Sequence, residues 1–394
     1  MKKFLFAFSI LITICASIRA QNNTGTKTYK VGIFAPLYLD NLFDIAGNFN
    51  YPQGIPKSIQ PGVDFIQGAE AALDSLDFGT AHIIASFYDI KSTKTPLDLL
   101  IKNKKLDSLN LIIADVKSPE FKTLADFALL KKIPFISATY PNDGGIIANP
   151  FLVIVNATLK AHCEAIYDYL LQNHGTDKIF LCRKKGIQED KIAAYFKELN
   201  IQDGKPLLNI QTLTVDSIVS YDFLNKKLDS NHLSVIIGGS LDENFASSLA
   251  HTSSDLHTQY PITLIGMPNW SGFKELTQKD GFENFPIYFT SPYFYTDLND
   301  DYSSLIKSDY NIKYKSTPTD MAYKGFECTY SFINLLIQYP NDLINHLNDT
   351  TYKVFSDYTF RPVFIKKGNV LPDYYENKHL YFIKIMNGTF SKAW

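Results

Sequence analysis

A chain of 394 residues is longer than one hydrophobic core normally organises, so two domains are expected. Its 38 basic residues are balanced by 40 acidic ones, for a formal charge of −2, with no long run of like charge. That balance gives no basic patch and argues against binding to nucleic acid or an anionic membrane surface.

The first twenty residues read as a targeting segment. Lys2 and Lys3 precede an apolar run from Phe4 to Ala16, and Ile18-Arg19-Ala20 leads into Gln21. A basic start, a short apolar stretch and a small terminal residue make a secretory signal, so cleavage near Ala20 and a periplasmic location are expected. The run is short for a membrane span. Ile14 precedes Cys15 where a lipid-modified signal wants a small residue, so the exported chain is read as soluble. Loss of Lys2, Lys3 and Arg19 leaves 35 basic residues against 40 acidic, a charge of −5. Cys163, Cys182 and Cys328 remain, too sparse for a disulfide framework. Each sits in an apolar pattern and reads as a buried thiol, with a Cys163–Cys182 pair left open.

From residue 29 onward the sequence repeats a strand-then-helix rhythm. Residues 29–35 predict a strand, 62–76 a helix rich in small residues (Gly68, Ala69, Ala71, Ala72), 82–88 a strand and 96–106 a helix. The stretch LNLIIADVKSPEFKTLADFALLKKIPFISAT at 109–139 holds two buried strands, 111–114 and 133–137, around a helix at 120–131. Its apolar runs lack polar alternation, as parallel strands covered on both faces do. A polar break at 140–149 precedes an extended piece at 150–156 and a helix at 160–173. Strands at 178–182, 206–214, 234–238, 262–265 and 287–289 then alternate with helices at 190–199, 221–230 and 243–251. Two helices follow, 302–314 and 320–338, and two strands, 360–366 and 380–386, the second turning at Asn387-Gly388 as a terminal antiparallel hairpin. Residues 40–61 read as a long loop.

Alternation of this kind predicts an α/β fold with parallel, doubly wound sheets. Catalytic signatures are missing from the sequence: no GxGxxG follows a strand, and there is no Walker sequence or HExxH. Gly238-Gly239-Ser240-Leu241-Asp242 lacks the second glycine of a nucleophile elbow. The histidines lack ligand spacing; His251 and His257 flank a Ser/Thr-rich stretch read as a loop. Neither a metal, a cofactor nor an enzymatic activity is therefore expected. Polar residues do follow the buried strands: Tyr38 and Asp40, Asp89, Asp115 to Ser118, Ser137 to Tyr140, 239–242, and Asn269-Trp270. In open α/β sheets such positions converge on one edge, where ligands bind. Tyr38, Tyr140, Trp270 and Tyr293 are candidate aromatic walls.

Several motifs together resemble the type I periplasmic binding proteins, the leucine/isoleucine/valine-binding and receptor-ligand-binding family. They are KVGIFAP at 30–36, QGAEAAL at 67–73, the unit at 112–137, NPFLVIVN at 149–156, FTSPYF at 289–294 and MAYKGF at 321–326. The resemblance covers nearly all of 29–394. It implies two doubly wound parallel-sheet lobes joined by three crossovers, an N-terminal lobe of 29–152 plus 292–350 and a C-terminal lobe of 153–291 plus 351–394. It implies capture of a small ligand, an amino acid or similar polar solute, by hinge closure, and delivery to an ABC-type membrane transporter. The ligand positions it implies are Ser118, Ser137, Ala138 and Thr139 on one wall and Ser240, Asp242, Asn269 and Trp270 on the other; Tyr38 and Lys117 complete the expected set. Ala114-Asp115 stands where the family's usual Gly-Pro falls, and Arg183-Lys184-Lys185-Gly186 replaces its acidic turn. The alternative reading is an interaction or sensory module of the cell envelope that keeps the fold without the solute site. A monomer or weak dimer is expected.

Overall fold

The computed structural model describes residues 27–279, 281–282, 284–366 and 368–393. The expected signal at 1–20 lies outside the described residues. The first sheet is built on β1 (Lys27–Ala35), β2 (Ala81–Asp89), β3 (Leu111–Ala114), β4 (Phe135–Ser137) and β5 (Leu152–Ile154). The second begins with β6 (Lys178–Lys184), β7 (Ile210–Val215), β8 (Ser234–Gly238), β9 (Ile262–Ile265) and β10 (Ile287–Ser291). Within each lobe these strands are parallel and wind in the same order, β2-β1-β3-β4-β5 and β7-β6-β8-β9-β10.

Helices cover both faces of the first sheet. Ile33 and Ile113 pack under α1 (Gln60–Ser75), whereas Phe34 and Ile112 point to the opposite face, where α2 (Leu97–Lys102) and α3 (Glu120–Lys131) lie. β3, β4 and β8 are buried along their whole length, which explains their unbroken apolar runs. In the second lobe α4 (Leu159–Asn173), α5 (Ile187–Leu199), α6 (Tyr221–Asn225) and α7 (Glu243–His257) share one core with Phe180, Ile236 and Leu264. α7 runs through the Ser/Thr-rich stretch expected to be a loop. Its inward Thr252 donates to the Val219 carbonyl at 2.9 Å, so the hydroxyls are accommodated inside a helix.

The chain then returns to the first lobe through α8 (Asp301–Tyr314) and α9 (Asp320–Gln338). Here the expected lobe boundaries need correction. β11 (Phe360–Val363) and β12 (Tyr374–Asn377) belong to the first sheet, because β12 pairs with β5 in parallel and β11 pairs with β12. Phe360 also meets Phe332 of α9 edge to face, at 6.0 Å between ring centres. The N-terminal lobe therefore includes β5 and continues to Asn377, rather than giving way at 351. β13 (Tyr381–Met386) and β14 (Thr389–Lys392) alone complete the second sheet, as the hairpin read at Asn387-Gly388, both at positive φ.

Three short crossings thus join the lobes, at 155–158, 292–300 and 378–380. The first leaves the carboxyl end of β5, the second leaves that of β10, and the third leaves that of β12. Both carboxyl edges therefore meet at the hinge and face each other across the space between lobes.

The second crossing is anchored in the first lobe by a buried charge. Glu327 of α9 is fully enclosed and accepts from the Tyr295 hydroxyl at 2.6 Å, the Ser356 amide at 2.5 Å and the Ser356 hydroxyl at 3.1 Å. Lys324 lies 3.4 Å away and rests over the rings of Tyr293 (4.6 Å) and Tyr295 (5.4 Å). Against its other side α9 meets α1 backbone to backbone. A Cβ on Gly68 would fall 1.9 Å from the Ala322 carbonyl oxygen, and one on Gly325 would fall 2.0 Å from that of Phe65. The small residues read in α1 are therefore a packing requirement. Gly325→Ala is expected to cost about 3 kcal/mol or more, the upper end of overpacking penalties, measured by denaturant unfolding.

Candidate functional site

On the first lobe's edge, two carboxylates fix the loops. Asp89, at the end of β2, accepts backbone N–H bonds from Leu37 (3.0 Å), Tyr38 (3.1 Å) and Lys91 (2.9 Å) on one oxygen and from Leu39 (2.8 Å) on the other. Asp40 accepts from the amides of Thr93 (2.7 Å) and Lys94 (3.1 Å) and from the hydroxyls of Ser92 and Thr93. The Lys94 amide and these other donors hold its carboxyl down to about 2 against the opposing pull of desolvation. The two loops consequently form one rigid rim, with Tyr38 half-buried in a left-handed conformation.

The turn after β3 behaves differently. Asp115 is buried and accepts the Thr139 hydroxyl at 2.6 Å. Burial raises its carboxyl, while the Thr139 bond and the Lys117 charge pull the other way. Lys117 and Ser118 are exposed at the edge, and Thr139 is half-buried there. Ser137 and Ala138 are fully buried, with the Ser137 hydroxyl lacking a hydrogen-bond partner among the described residues. Of the expected first-wall residues, Tyr38, Lys117, Ser118 and Thr139 thus reach the cleft edge; Ser137 and Ala138 lie beneath it. The Thr139 carbonyl also accepts from Asn156 at 2.6 Å, tying this wall to the first crossing.

The second wall is largely occupied with its own fold. The Ser240 hydroxyl donates to buried Glu189 at 2.6 Å. Asp242 caps α7 through the Phe245 amide (2.9 Å) and pairs with Lys184 (2.8 Å), which together hold its carboxyl below the usual range. Asn269 is exposed and donates to the Leu241 carbonyl at 2.8 Å. Trp270 is 0% exposed, donates to the Ser240 carbonyl at 2.9 Å and lies across Gly238 and Gly266, where any Cβ would fall 2.2 Å from its ring. It is a core residue of the second lobe and not the cleft wall expected, because only two glycines leave room for the indole inside.

Two further features were not assigned from the sequence. The hinge is crossed by ion pairs: Lys378 of the third crossing sits 2.8 Å from Glu164 of α4 and 2.5 Å from Glu376 of β12. Burial works against its charge, yet the two carboxylates leave its pKa raised. Glu376 also accepts the Thr158 amide of the first crossing at 2.8 Å. Beside the second crossing lies a cavity of about 190 Å³ that draws residues from both lobes, among them Ser271, Phe289, Ser291, Tyr293, Phe294 and Asp320. Tyr293 was legible as a wall residue after β10; Asp320 was not, since nothing in the sequence brings the start of α9 to this place. Cys163, Cys182 and Cys328 are free and buried, as read. Among the described residues no group of His, Cys, Asp and Glu is arranged to hold a metal, and no helix is long and apolar enough to cross a membrane.

No protein-family model matches the sequence, and no curated protein matches it. Solved structures do match its shape. An ABC transporter substrate-binding protein from Desulfitobacterium hafniense has a TM-score of 0.58 at 10% identity, covering 93% of this chain and 100% of that one. A branched-chain amino acid ABC transporter periplasmic ligand-binding protein from Burkholderia xenovorans has 0.58 at 12%, covering 93% and 94%. The branched-chain amino acid substrate-binding protein LivJ from Streptococcus pneumoniae, in complex with isoleucine, has 0.52 at 16%, covering 93% and 98%. At these identities the likeness is one of fold, and that fold is the expected type I periplasmic-binding-protein architecture.

Trp270→Ala is expected to lower stability by about 3–5 kcal/mol, the range for emptying a buried aromatic site, in thermal or denaturant unfolding. His162 of α4, bonded to Thr290 at 2.7 Å, is pushed down to about 3, chiefly by burial, from an ordinary 6.5. The unfolded chain therefore takes up a proton that the fold refuses. Stability is expected to fall as pH drops below 6.5 towards 3, with a one-proton slope of about 1.4 kcal/mol per pH unit. His162→Gln should flatten that part of the profile.

Proposed function

We propose that this chain, which has the fold of ABC-transporter substrate-binding proteins, captures a small polar solute between its lobes and closes on it by bending at the three crossings. The observation that carries the reading is the meeting of both carboxyl edges at one hinge, with polar groups presented from each side. The edge of an open α/β sheet offers amide donors and hydroxyls without burying a counter-ion, and a second such edge opposite doubles the contacts. Closure requires that the solute touch both lobes, since a ligand with equal affinity for open and closed forms shifts nothing. Export to the periplasm and hand-over to a membrane transporter complete the proposal.

A second reading has its own support. Ser240, Asp242 and Asn269 spend their polar atoms within the second lobe, and an envelope interaction module would need no more of them than that. Fluorophores on Lys122→Cys and Glu243→Cys, exposed positions at the starts of α3 and α7, report the gap between lobes. With any bound solute first removed by unfolding and refolding, small polar metabolites offered in pools should shorten that distance. A distance unchanged by every pool would reject solute capture and leave the module reading.

A further inference from the structure

We propose that the cavity beside the second crossing recognises a small organic ammonium ion, with Asp320 as its counter-charge; this gives a ligand class to the solute-capture reading and rests on it. The position is interlobe: Asp320 opens α9 of the first lobe, Tyr293 and Phe294 come from the crossing, and Ser271, Phe289 and Phe390 come from the second lobe. A ligand here contacts both lobes at the hinge.

The polar atoms around the cavity mostly accept. Ser271 already donates to the Pro268 carbonyl at 3.0 Å, leaving its lone pairs open; Ser291 donates to the Tyr293 carbonyl at 2.7 Å and accepts a long 3.4 Å bond from the Tyr293 amide, which leaves it one lone pair. Asp320 has neither a hydrogen-bonded nor an ion-paired side-chain partner among the described residues. Lys324, one turn further along α9, is already engaged by Glu327. The Asp320 carboxylate is open to water but crowded by protein; that crowding raises its pKa, with the Lys324 charge acting oppositely. A cation placed against it would favour the ionised form. Tyr293 stays protonated, its hydroxyl pushed up to about 12 by burial and then by the charge of Asp320.

The remaining walls are Thr296, Ile383 and aromatic rings, and rings in this region already hold ammonium groups of the chain itself. Lys324 stands over Tyr293 at 4.6 Å, and Lys392 stands over Phe294 at 5.8 Å and Tyr381 at 4.3 Å. Lys392 is exposed, so water screens its repulsion from a cation at Asp320. A carboxylate, aromatic faces and hydroxyl lone pairs suit an ammonium group. The Asp320 carboxylate repels an anion at this end of the cavity, where Lys324 is taken up by Glu327 and Lys392 is exposed to water.

The test uses the full mature chain and titration calorimetry with tetramethylammonium, choline and ethanolamine chlorides, against dimethylbutanol, the neutral carbon analogue of choline. At least one ammonium salt should bind, the neutral analogue should not, and Asp320→Asn should weaken binding by about tenfold or more, at least one unit of 1.4 kcal/mol, with an unchanged melting temperature. No binding by any of the three salts, equal binding of choline and dimethylbutanol, or an affinity untouched by Asp320→Asn would overturn the assignment. The interlobe distance separates the two proposals. Closure driven by a neutral or anionic solute alone would keep solute capture and overturn the ammonium site, whereas ammonium binding lost in Asp320→Asn without closure would keep the site and remove capture.

Discussion

The structure turns on a carboxylate placed where no water can reach it. Glu327 is enclosed by the first lobe, and a buried charge is tolerated only when its lone pairs are filled. Its partners come from three separate parts of the chain: Lys324 on the same helix, Tyr295 of the second crossing, and Ser356 of the segment leading to β11. Satisfying that one group fixes where the second crossing lands and how the returning chain approaches the first sheet. The neighbouring Tyr381 of β13 continues the connection, accepting the Asp357 amide at 2.7 Å, so the third crossing is held to the same region.

Rigid attachment on one side makes the crossings usable as hinges. Each lobe has its own packed core and the same winding, so motion between them need not disturb either. The difference between the lobes lies in their last strands. β12 runs parallel beside β5 and ends at the hinge; after three residues the chain must enter the second sheet from its carboxyl edge, which forces β13 to run antiparallel to β10. Lys378 sits inside that short connection, between carboxylates of both lobes, so the charge at the hinge is balanced in the observed arrangement.

The distribution of polar partners separates the two walls. The first presents Lys117, Ser118 and Thr139 beside a rim held by Asp89 and Asp40, with Thr139 itself held by Asp115 and Asn156, whereas the second consumes Ser240 and Asp242 in capping and pairing its own helices. That asymmetry moves attention from the outer edge of the second lobe towards the crossing, where Tyr293 and Asp320 meet.

Period and composition were enough to determine the elements and their alternation. Buried parallel strands have no polar face to show, so the runs at 111–114 and 234–238 read directly, and α9 was legible over its full length from 320 to 338. The small residues of α1 were visible too, although the carbonyls that require them were not. β11 was read as part of a strand at 360–366 but given to the wrong lobe, and β12 went unread, because the sheet they join is chosen by the pairing of β12 with β5, more than two hundred residues away. Trp270 failed as a wall for a related reason: sequence places it after a strand, but the side on which an indole finds room depends on Gly238 and Gly266 in neighbouring strands. Local chemistry thus determined what the segments are. Which carboxylates are consumed and which stay open to a ligand was decided by contacts between segments distant in the chain, and only the tertiary structure supplies those.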